Sequence, residues 1–205
     1  MMTSNSNVCV VVTAYYPDAS NFIRIMDRLL QMGVGEVIII QNGGAIPDLS
    51  AYSFVKIHQC NRNLGSAGGY HLGIELALAS ACDFIWLLDQ DNFPALDALD
   101  KLKQGWESSV TQMSQDQLML LSCRPLLFHH LYPHQSNNSW SLGPKPNSFL
   151  GFHFSQSLSI LKNRLGPPSD KIRKLPKRIE NLPLQNAYYG GLFFHKTAVA
   201  TGIRP

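Results

Sequence analysis

The chain alternates short apolar runs with longer segments in which apolar residues recur every three or four positions. Runs rich in β-branched and aromatic residues are typical of buried strands; they cover residues 8–12, 37–40, 84–88 and 118–121, with a weaker one at 54–58. Between them, helical spacing relates Phe22, Ile25, Met26, Leu29 and Leu30, then Tyr70, Ile74, Ala77, Leu78 and Ala81, then Leu96, Leu99 and Leu102. The pattern predicts repeated β-α-β units.

Local signals set the expected helix ends. Ser20 or Asn21 can cap the first helix and Gly33 can end it, while Pro94 suits the first turn of the third. A last strand is expected at residues 190–194. Because short connections join the alternating elements, we expect an α/β fold with a mostly parallel central sheet and helices on both faces.

The alternation stops after the fifth predicted strand, in a region rich in Pro, Ser, Asn and basic residues. We therefore expect three parts: an α/β ligand-binding half at residues 1–125, an irregular basic, Pro-rich insertion at 126–185, and the start of an acceptor-side half at 186–205.

Composition places the chain among ordinary globular proteins. It has 205 residues, 45% of them apolar and 15% charged, with a formal net charge of +3, which argues against disorder. It has neither an apolar run of membrane-spanning length nor an N-terminal secretory signal, so we expect a cytoplasmic protein. The scattered cysteines, Cys9, Cys60, Cys82 and Cys123, favour buried free thiols over a zinc site or disulfides.

Positive charge is concentrated in one segment. Residues 162–178 carry seven Lys and Arg side chains and a single acid, Asp170, a local charge of +6, whereas the rest of the chain is slightly acidic. This distribution argues against a nucleic-acid-binding face spread over the domain. The segment is either a solvated loop or a contact with anionic lipids at the inner face of the plasma membrane.

Polar and small residues follow the predicted strands, at the edge of the sheet where α/β proteins bind ligands. Asp89 and Asp91 directly follow a buried strand, where both could reach one Mg²⁺ or Mn²⁺ together with phosphate oxygens and water. The alternative is a solvated turn in which Asn92 caps the next helix. The Gly-rich residues 65–69 open a helix, which favours either anion binding or close helix–sheet packing.

Five segments together resemble one enzyme family. They are VVVTAY at 10–15, IIQNG at 39–43, NLGSAGGYHLG at 63–73, WLLDQD at 86–91 and YGGLF at 189–193. Their order and spacing resemble the family 2 glycosyltransferases of the GT-A (Rossmann-like) fold, and in particular the bacterial rhamnosyltransferase and galactofuranosyltransferase branch. The resemblance covers roughly residues 8–125 and 186–203.

The resemblance implies a metal-dependent, inverting transfer of a sugar from a UDP- or dTDP-linked donor. The acceptor would be a saccharide or a lipid-linked saccharide in cell-surface polysaccharide synthesis. The resemblance implies that Thr13 and Tyr15 line the nucleobase pocket, that Gln41 or Asn42 recognises the base, and that Arg62, Asn63 and Gly68 lie near the ribose-diphosphate. It implies that Asp89 and Asp91 hold the cation on the diphosphate, so that Asp89 also takes part in nucleotide binding. Gly190 and Gly191 would shape the sugar and acceptor cleft. Gln41 and Asn42 stand where the family usually has an acid, so the resemblance does not decide which nucleotide the donor carries.

The resemblance also implies a catalytic base, an acid after the Gly-Gly strand. No Asp or Glu follows Gly191, so we expect the base beyond Pro205, with His195 as the remaining candidate within the chain. Two alternatives stay open. A nucleotidyltransferase would need a basic Gly-rich loop near the first strand, and residues 13–18 contain no Lys, Arg or Gly. A catalytically incomplete nucleotide-sugar-binding module would bind the donor without transfer.

Overall fold

A computed structural model describes residues 7–122, 134–136, 139–141 and 190–200. The chain divides into two units, Met1–Phe128 with Tyr188–Pro205, and His129–Ala187. Most of the predicted insertion, including its basic segment 162–178, lies outside the described residues, so its boundaries stay a prediction.

The elements follow the predicted alternation. They are β1 Val8–Tyr15, α1 Ala19–Gln31, β2 Glu36–Gly43, β3 Val55–Gln59, α2 Gly65–Leu78, β4 Phe84–Asp89, α3 Ala98–Ser109, β5 Met119–Leu121, β6 His134–Ser136, β7 Ser139–Ser141, β8 Leu192–His195 and α4 Thr197–Ala200. Strands β6 and β7 pair antiparallel in a sheet of their own, within the second unit.

The first unit contains a six-stranded sheet in the order β3-β2-β1-β4-β8-β5. Strands β3, β2, β1 and β4 are parallel, whereas β8 is antiparallel to both of its neighbours, β4 and β5. The predicted α/β class, with a mostly parallel central sheet, is confirmed. The direction of β8 was not predicted, and it determines where the last residues of that strand lie.

The central strand β1 is buried on both faces, as its unbroken apolar run predicted. Val10 and Val12 pack with α1 and α3, while Cys9 and Val11 pack on the opposite face with α2 and α4. All four are fully buried. Burying a side chain such as valine contributes about 1.5–3 kcal/mol, so the two apolar faces of β1 fix helices on both sides of the sheet.

Two predicted helix starts are wrong. The cap of α1 is Asp18, whose carboxylate accepts a hydrogen bond from the Asn21 amide, instead of Ser20 or Asn21. The third helix begins at Ala98, not at Pro94: the Ala98 amide closes a turn on the Ala95 carbonyl at 3.0 Å, and the Pro94 carbonyl accepts a hydrogen bond from Nη1 of Arg28 at 3.2 Å. At the other end of α1, Gly33 follows the helix with φ of +69°, as predicted.

The thiols within the described part of the chain are free. Cys9 and Cys82 are buried and Cys60 is half-buried, while Cys123 lies outside the described residues. Burial raises the pKa of the Cys9 thiol well above its usual range, which makes it a packing residue. None of the described helices combines the length and apolar character needed to cross a membrane.

Candidate functional site

A cleft of about 200 Å³ opens at the carboxyl ends of β1 and β4. The chain leaves β1 toward β2 on one side and returns through α2 to β4 on the other, so these strand ends mark the point where the strand order reverses. Open α/β sheets bind their ligands at such a point. The residues that line the cleft are Thr13, Ala14, Tyr15, Asn42, Ser66, Asp89 and Gln90.

Asp89 ends β4 in register with Thr13 of β1, and its carboxylate is held by its neighbours. The Tyr70 hydroxyl, from the buried face of α2, donates a hydrogen bond to Oδ1 of Asp89 at 2.7 Å. On another side the carboxylate lies against Gly190, where even a single added Cβ would collide with it. These contacts hold the Asp89 carboxylate in one orientation within the cleft.

The Gly190-Gly191 turn is fastened to the end of β4. Gly191 has φ of +105°, a conformation that favours glycine, and its amide donates to the carbonyl of Leu87 at 2.7 Å. Its carbonyl accepts from the amide of Ser122 at 2.8 Å, and the Ser122 hydroxyl accepts in turn from Nε1 of Trp86 at 3.3 Å. These bonds keep Gly190 beside Asp89, and its role at a sugar and acceptor cleft stays a prediction.

Asp91 is exposed, two residues beyond the end of β4. The intervening turn is closed by the Asn92 amide, which donates to the Asp89 carbonyl at 3.0 Å, and Asn92 does not cap α3. Within the described residues, no three Asp, Glu, His or Cys side chains gather into a metal-binding group. Asp89 and Asp91 offer two carboxylates. Two can suffice for Mg²⁺ or Mn²⁺, because these cations commonly complete their shells with ligand phosphates and water.

Two amide side chains at the end of β2 bind the protein's own backbone. Asn42 is buried; its Oδ1 accepts from the Leu64 amide at 2.7 Å and its Nδ2 donates to the Gly65 carbonyl at 3.0 Å. Gln41 donates through Nε2 to the carbonyl of Gly44. Asn42 therefore joins β2 to the start of α2, and base recognition by either side chain stays a prediction.

The glycines of α2 have different surroundings. A Cβ on Gly69 would collide with the γ-methyl of Thr13, and one on Gly73 with Val11, so these two glycines let the helix approach the sheet closely. This confirms the packing interpretation for Gly69, and Gly73 packs in the same way. Of the residues assigned to the ribose-diphosphate, Arg62 and Asn63 are exposed just before the helix and Gly68 is half-buried in its first turn, and all three lie outside the cleft lining.

Two tyrosines stand at the mouth of the cleft. Tyr15 is 51% exposed and Tyr16 69% exposed, and their rings meet edge to face with centroids 4.8 Å apart. An added Cβ on Gly43 would come within 2.8 Å of the Tyr15 ring, and one on Gly44 within 2.7 Å of the Tyr16 ring. The rings therefore lie against the backbone at the end of β2, and about half or more of each tyrosine stays exposed.

Sequence reasoning missed several residues of this site. The sequence predicts no role for Gln90, which separates two acids. In the structure its side chain forms hydrogen bonds with both the backbone amide and the carbonyl of Tyr15. Tyr70 carried one available signal, since a hydroxyl on an apolar helix face usually has a buried partner. Ser66 lies within the Gly-rich segment 65–69, whereas Ser122 carried no signal, because its contacts depend on how distant segments meet.

His195 lies at the end of the sheet where β4 begins, whereas Asp89 lies where β4 ends. Because β8 is antiparallel to β4, His195 pairs with Phe84 at the start of β4, five residues before Asp89, a strand distance of about 16 Å. There its Nδ1 is 2.8 Å from the Thr197 hydroxyl and its ring stacks on Trp106. The structure therefore removes His195 as a candidate base for this cleft.

No protein-family profile and no curated protein matches the chain. Among solved structures, it is similar to S. aureus TarS 1-349 (TM-score 0.40, 11% identity, covering 57% of this chain and 41% of that one). It is also similar to S. aureus TarS 1-349 in complex with UDP-GlcNAc (0.39, 13%, 49% and 31%) and to Rv0371c from Mycobacterium tuberculosis H37Rv (0.35, 18%, 49% and 61%). The chain thus spans less than half of these TarS structures, and likeness at this level carries no functional argument.

Proposed function

We propose that this chain is a metal-dependent, inverting glycosyltransferase that uses a sugar linked to a nucleoside diphosphate, UDP or dTDP. One observation carries the proposal: the exposed ring of Tyr15 and the carboxylate of Asp89 line the same cleft, at the switch point of an α/β sheet. An aromatic ring can stack on a nucleobase, and a carboxylate can reach a diphosphate through a shared cation. The nucleobase and the diphosphate of one nucleotide sugar match these two walls.

Asp89 and Asp91 would hold the cation, Mg²⁺ or Mn²⁺. When bound, it would neutralise charge on the departing nucleoside diphosphate. The protein's own part is to orient the ligand side chains: the Tyr70 hydroxyl fixes one oxygen of Asp89, and Gly190 leaves room beside the carboxylate. Gly190 and Gly191 would border the space for the sugar and the acceptor.

In the transfer step, an acceptor hydroxyl attacks the anomeric carbon while the bond from that carbon to the diphosphate oxygen breaks. The bonding electrons leave with the diphosphate, the hydroxyl proton passes to a base, and a single displacement inverts the anomeric centre. Of the described residues that line the cleft, Asp89 alone is acidic, and it would serve as a ligand of the cation and not as the base. We therefore place the base outside the described residues. A saccharide or lipid-linked acceptor and a membrane contact through residues 162–178 belong to the same proposal.

Calorimetric titration with UDP and dTDP, with Mn²⁺ and again with EDTA, tests the binding step. Product release from UDP- and dTDP-sugars in the presence of saccharide acceptors tests transfer. We expect nucleotide binding that requires Mn²⁺. Binding without release would favour the incomplete binding module, and pyrophosphate release from a nucleoside triphosphate and a sugar phosphate would favour the nucleotidyltransferase. Absence of nucleotide binding under all conditions would contradict the proposal.

A further inference from the structure

The β1–β4 ladder ends at the pair Thr13 and Asp89, yet one further connection joins the two strands beyond it. Oε1 of Gln90 accepts a hydrogen bond from the Tyr15 amide at 2.6 Å, and Nε2 of Gln90 donates one to the Tyr15 carbonyl at 3.0 Å. A primary amide offers the same donor and acceptor as a peptide group. Gln90 therefore serves Tyr15 as a neighbouring strand would.

This connection acts at an irregular point of β1. The register between β1 and β2 shifts between Ala14 and Tyr15, so the regular ladder does not carry Tyr15 in step with the residues before it. On the β4 side, both polar backbone groups of Tyr15 bond to Gln90. Because the direction of a side chain follows its backbone, the Gln90 amide helps to determine where the Tyr15 ring stands over Gly43.

We infer that Gln90 is a positioning residue that sets the Tyr15 ring for the nucleobase of the donor; this inference rests on the proposed function. The three residues Asp89, Gln90 and Asp91 then serve two ends of one ligand. The carboxylates serve the diphosphate through its cation, and the amide between them acts through Tyr15 on the base. Gln90 itself lines the cleft, and its amide would govern affinity for ligands that contain a base through its two hydrogen bonds to Tyr15.

A merely structural role for Gln90 makes a different prediction. If Gln90 only held the fold together, its loss would weaken all ligands alike. If it positions Tyr15, its loss weakens a nucleoside diphosphate and leaves pyrophosphate, which has no base, unaffected. The two roles therefore separate on a pair of ligands.

The experiment compares wild type, Gln90→Met, Tyr15→Ala and the double variant by calorimetry with UDP and with pyrophosphate, both in Mn²⁺. Met has a similar length but neither donor nor acceptor, and Tyr15→Ala keeps the backbone groups that Gln90 binds. We expect Gln90→Met to weaken UDP about 5- to 20-fold, as the loss of two hydrogen bonds allows, and pyrophosphate less than about twofold. In the Tyr15→Ala background, Gln90→Met should cause no further loss, because its effect passes through the ring. Equal losses for both ligands, or additive effects, would overturn the inference.

Hydrogen exchange at the Tyr15 amide examines the connection without any ligand. Exchange should be faster in Gln90→Met than in wild type, and unchanged exchange would overturn the inference. If Gln90→Met does not fold, Gln90→Leu removes the same donor and acceptor with another neutral side chain, and the same ligand comparison applies. A wild type that binds pyrophosphate with Mn²⁺ but gains nothing from the base overturns this inference alone; one that binds neither overturns the proposed function.

Discussion

The Tyr70 hydroxyl and the Asp89 carboxylate are joined by a 2.7 Å hydrogen bond between the buried face of α2 and the cleft. Tyr70 is only 1% exposed, so its hydroxyl has little access to water and depends on partners within the protein. The bond links the packing of α2 on the sheet to the orientation of the acid that we assign to the cation.

Tyr70→Phe should therefore lower both stability and nucleotide affinity. A hydrogen bond to a charged group contributes about 1.5–3 kcal/mol, and we expect a loss of that order in the free energy of unfolding, measured with denaturant. Mn²⁺-dependent UDP binding should weaken as well, because Asp89 loses a donor that orients it. The matched control is Tyr52→Phe, whose hydroxyl donates to Oδ1 of Asp27 at 2.7 Å in an exposed setting. Equal losses of UDP affinity in Tyr70→Phe and Tyr52→Phe would contradict the role of Tyr70 in orienting Asp89.

Gly190→Ala should impair the site by displacing the Asp89 carboxylate, against which the new Cβ would collide. Overpacking of this kind commonly costs about 1–3 kcal/mol, and we expect a tenfold or greater loss of Mn²⁺-dependent UDP affinity, of about 1.4 kcal/mol or more. The control is Gly105→Ala in α3, where the Cβ would lie 3.4 Å from Cδ1 of Leu120. That change should stabilise the helix by about 0.5–1 kcal/mol and leave binding unchanged. Normal UDP binding by Gly190→Ala would show that the carboxylate can move freely.

Asp91→Ala should abolish the Mn²⁺ dependence of nucleotide binding without unfolding the domain, because Asp91 is exposed. Removal of Mn²⁺ with EDTA should reduce wild type to the same residual affinity. Asp97→Asn removes a nearby exposed acid that pairs with Lys101, and it should leave nucleotide binding intact. If Asp91→Ala retains full Mn²⁺-dependent binding, the assignment of the cation is wrong.

His195 should contribute a pH dependence to stability and nothing to transfer. Burial lowers its pKa below the usual 6.5; Asp83 opposes this shift and Lys196 adds to it. The unfolded chain therefore takes up a proton at higher pH than the folded one, so stability falls as the pH drops through about 6.5 toward the lower folded pKa. Denaturant unfolding at several pH values between about 7 and 5 should show a shallower decline for His195→Gln than for wild type. An identical pH profile for the two proteins would argue against this account.

Much of the sheet could be predicted from the sequence because burial on both faces leaves a direct trace, an unbroken apolar run such as that of β1. The direction of β8 could not, since a four-residue strand reads the same either way and its neighbours are chosen by tertiary packing. Because β8 is antiparallel to β4, His195 lies away from the cleft. The contacts of Asn42 and Gln90 were equally unpredictable, because an amide can bond any backbone that the fold brings within reach.

The position of β8 between β4 and β5 has a consequence for biosynthesis. Its four residues follow β5 by about 70 positions, a delay on the order of 10 s at ordinary translation rates. Until they arrive, the growing chain can assemble β1 to β4 with their helices, but one edge of β4 stays unpaired and open to association with other chains. Gly190, which lies against Asp89, emerges in the same late segment. We therefore expect the cleft to be completed last, when most of the apolar core already exists.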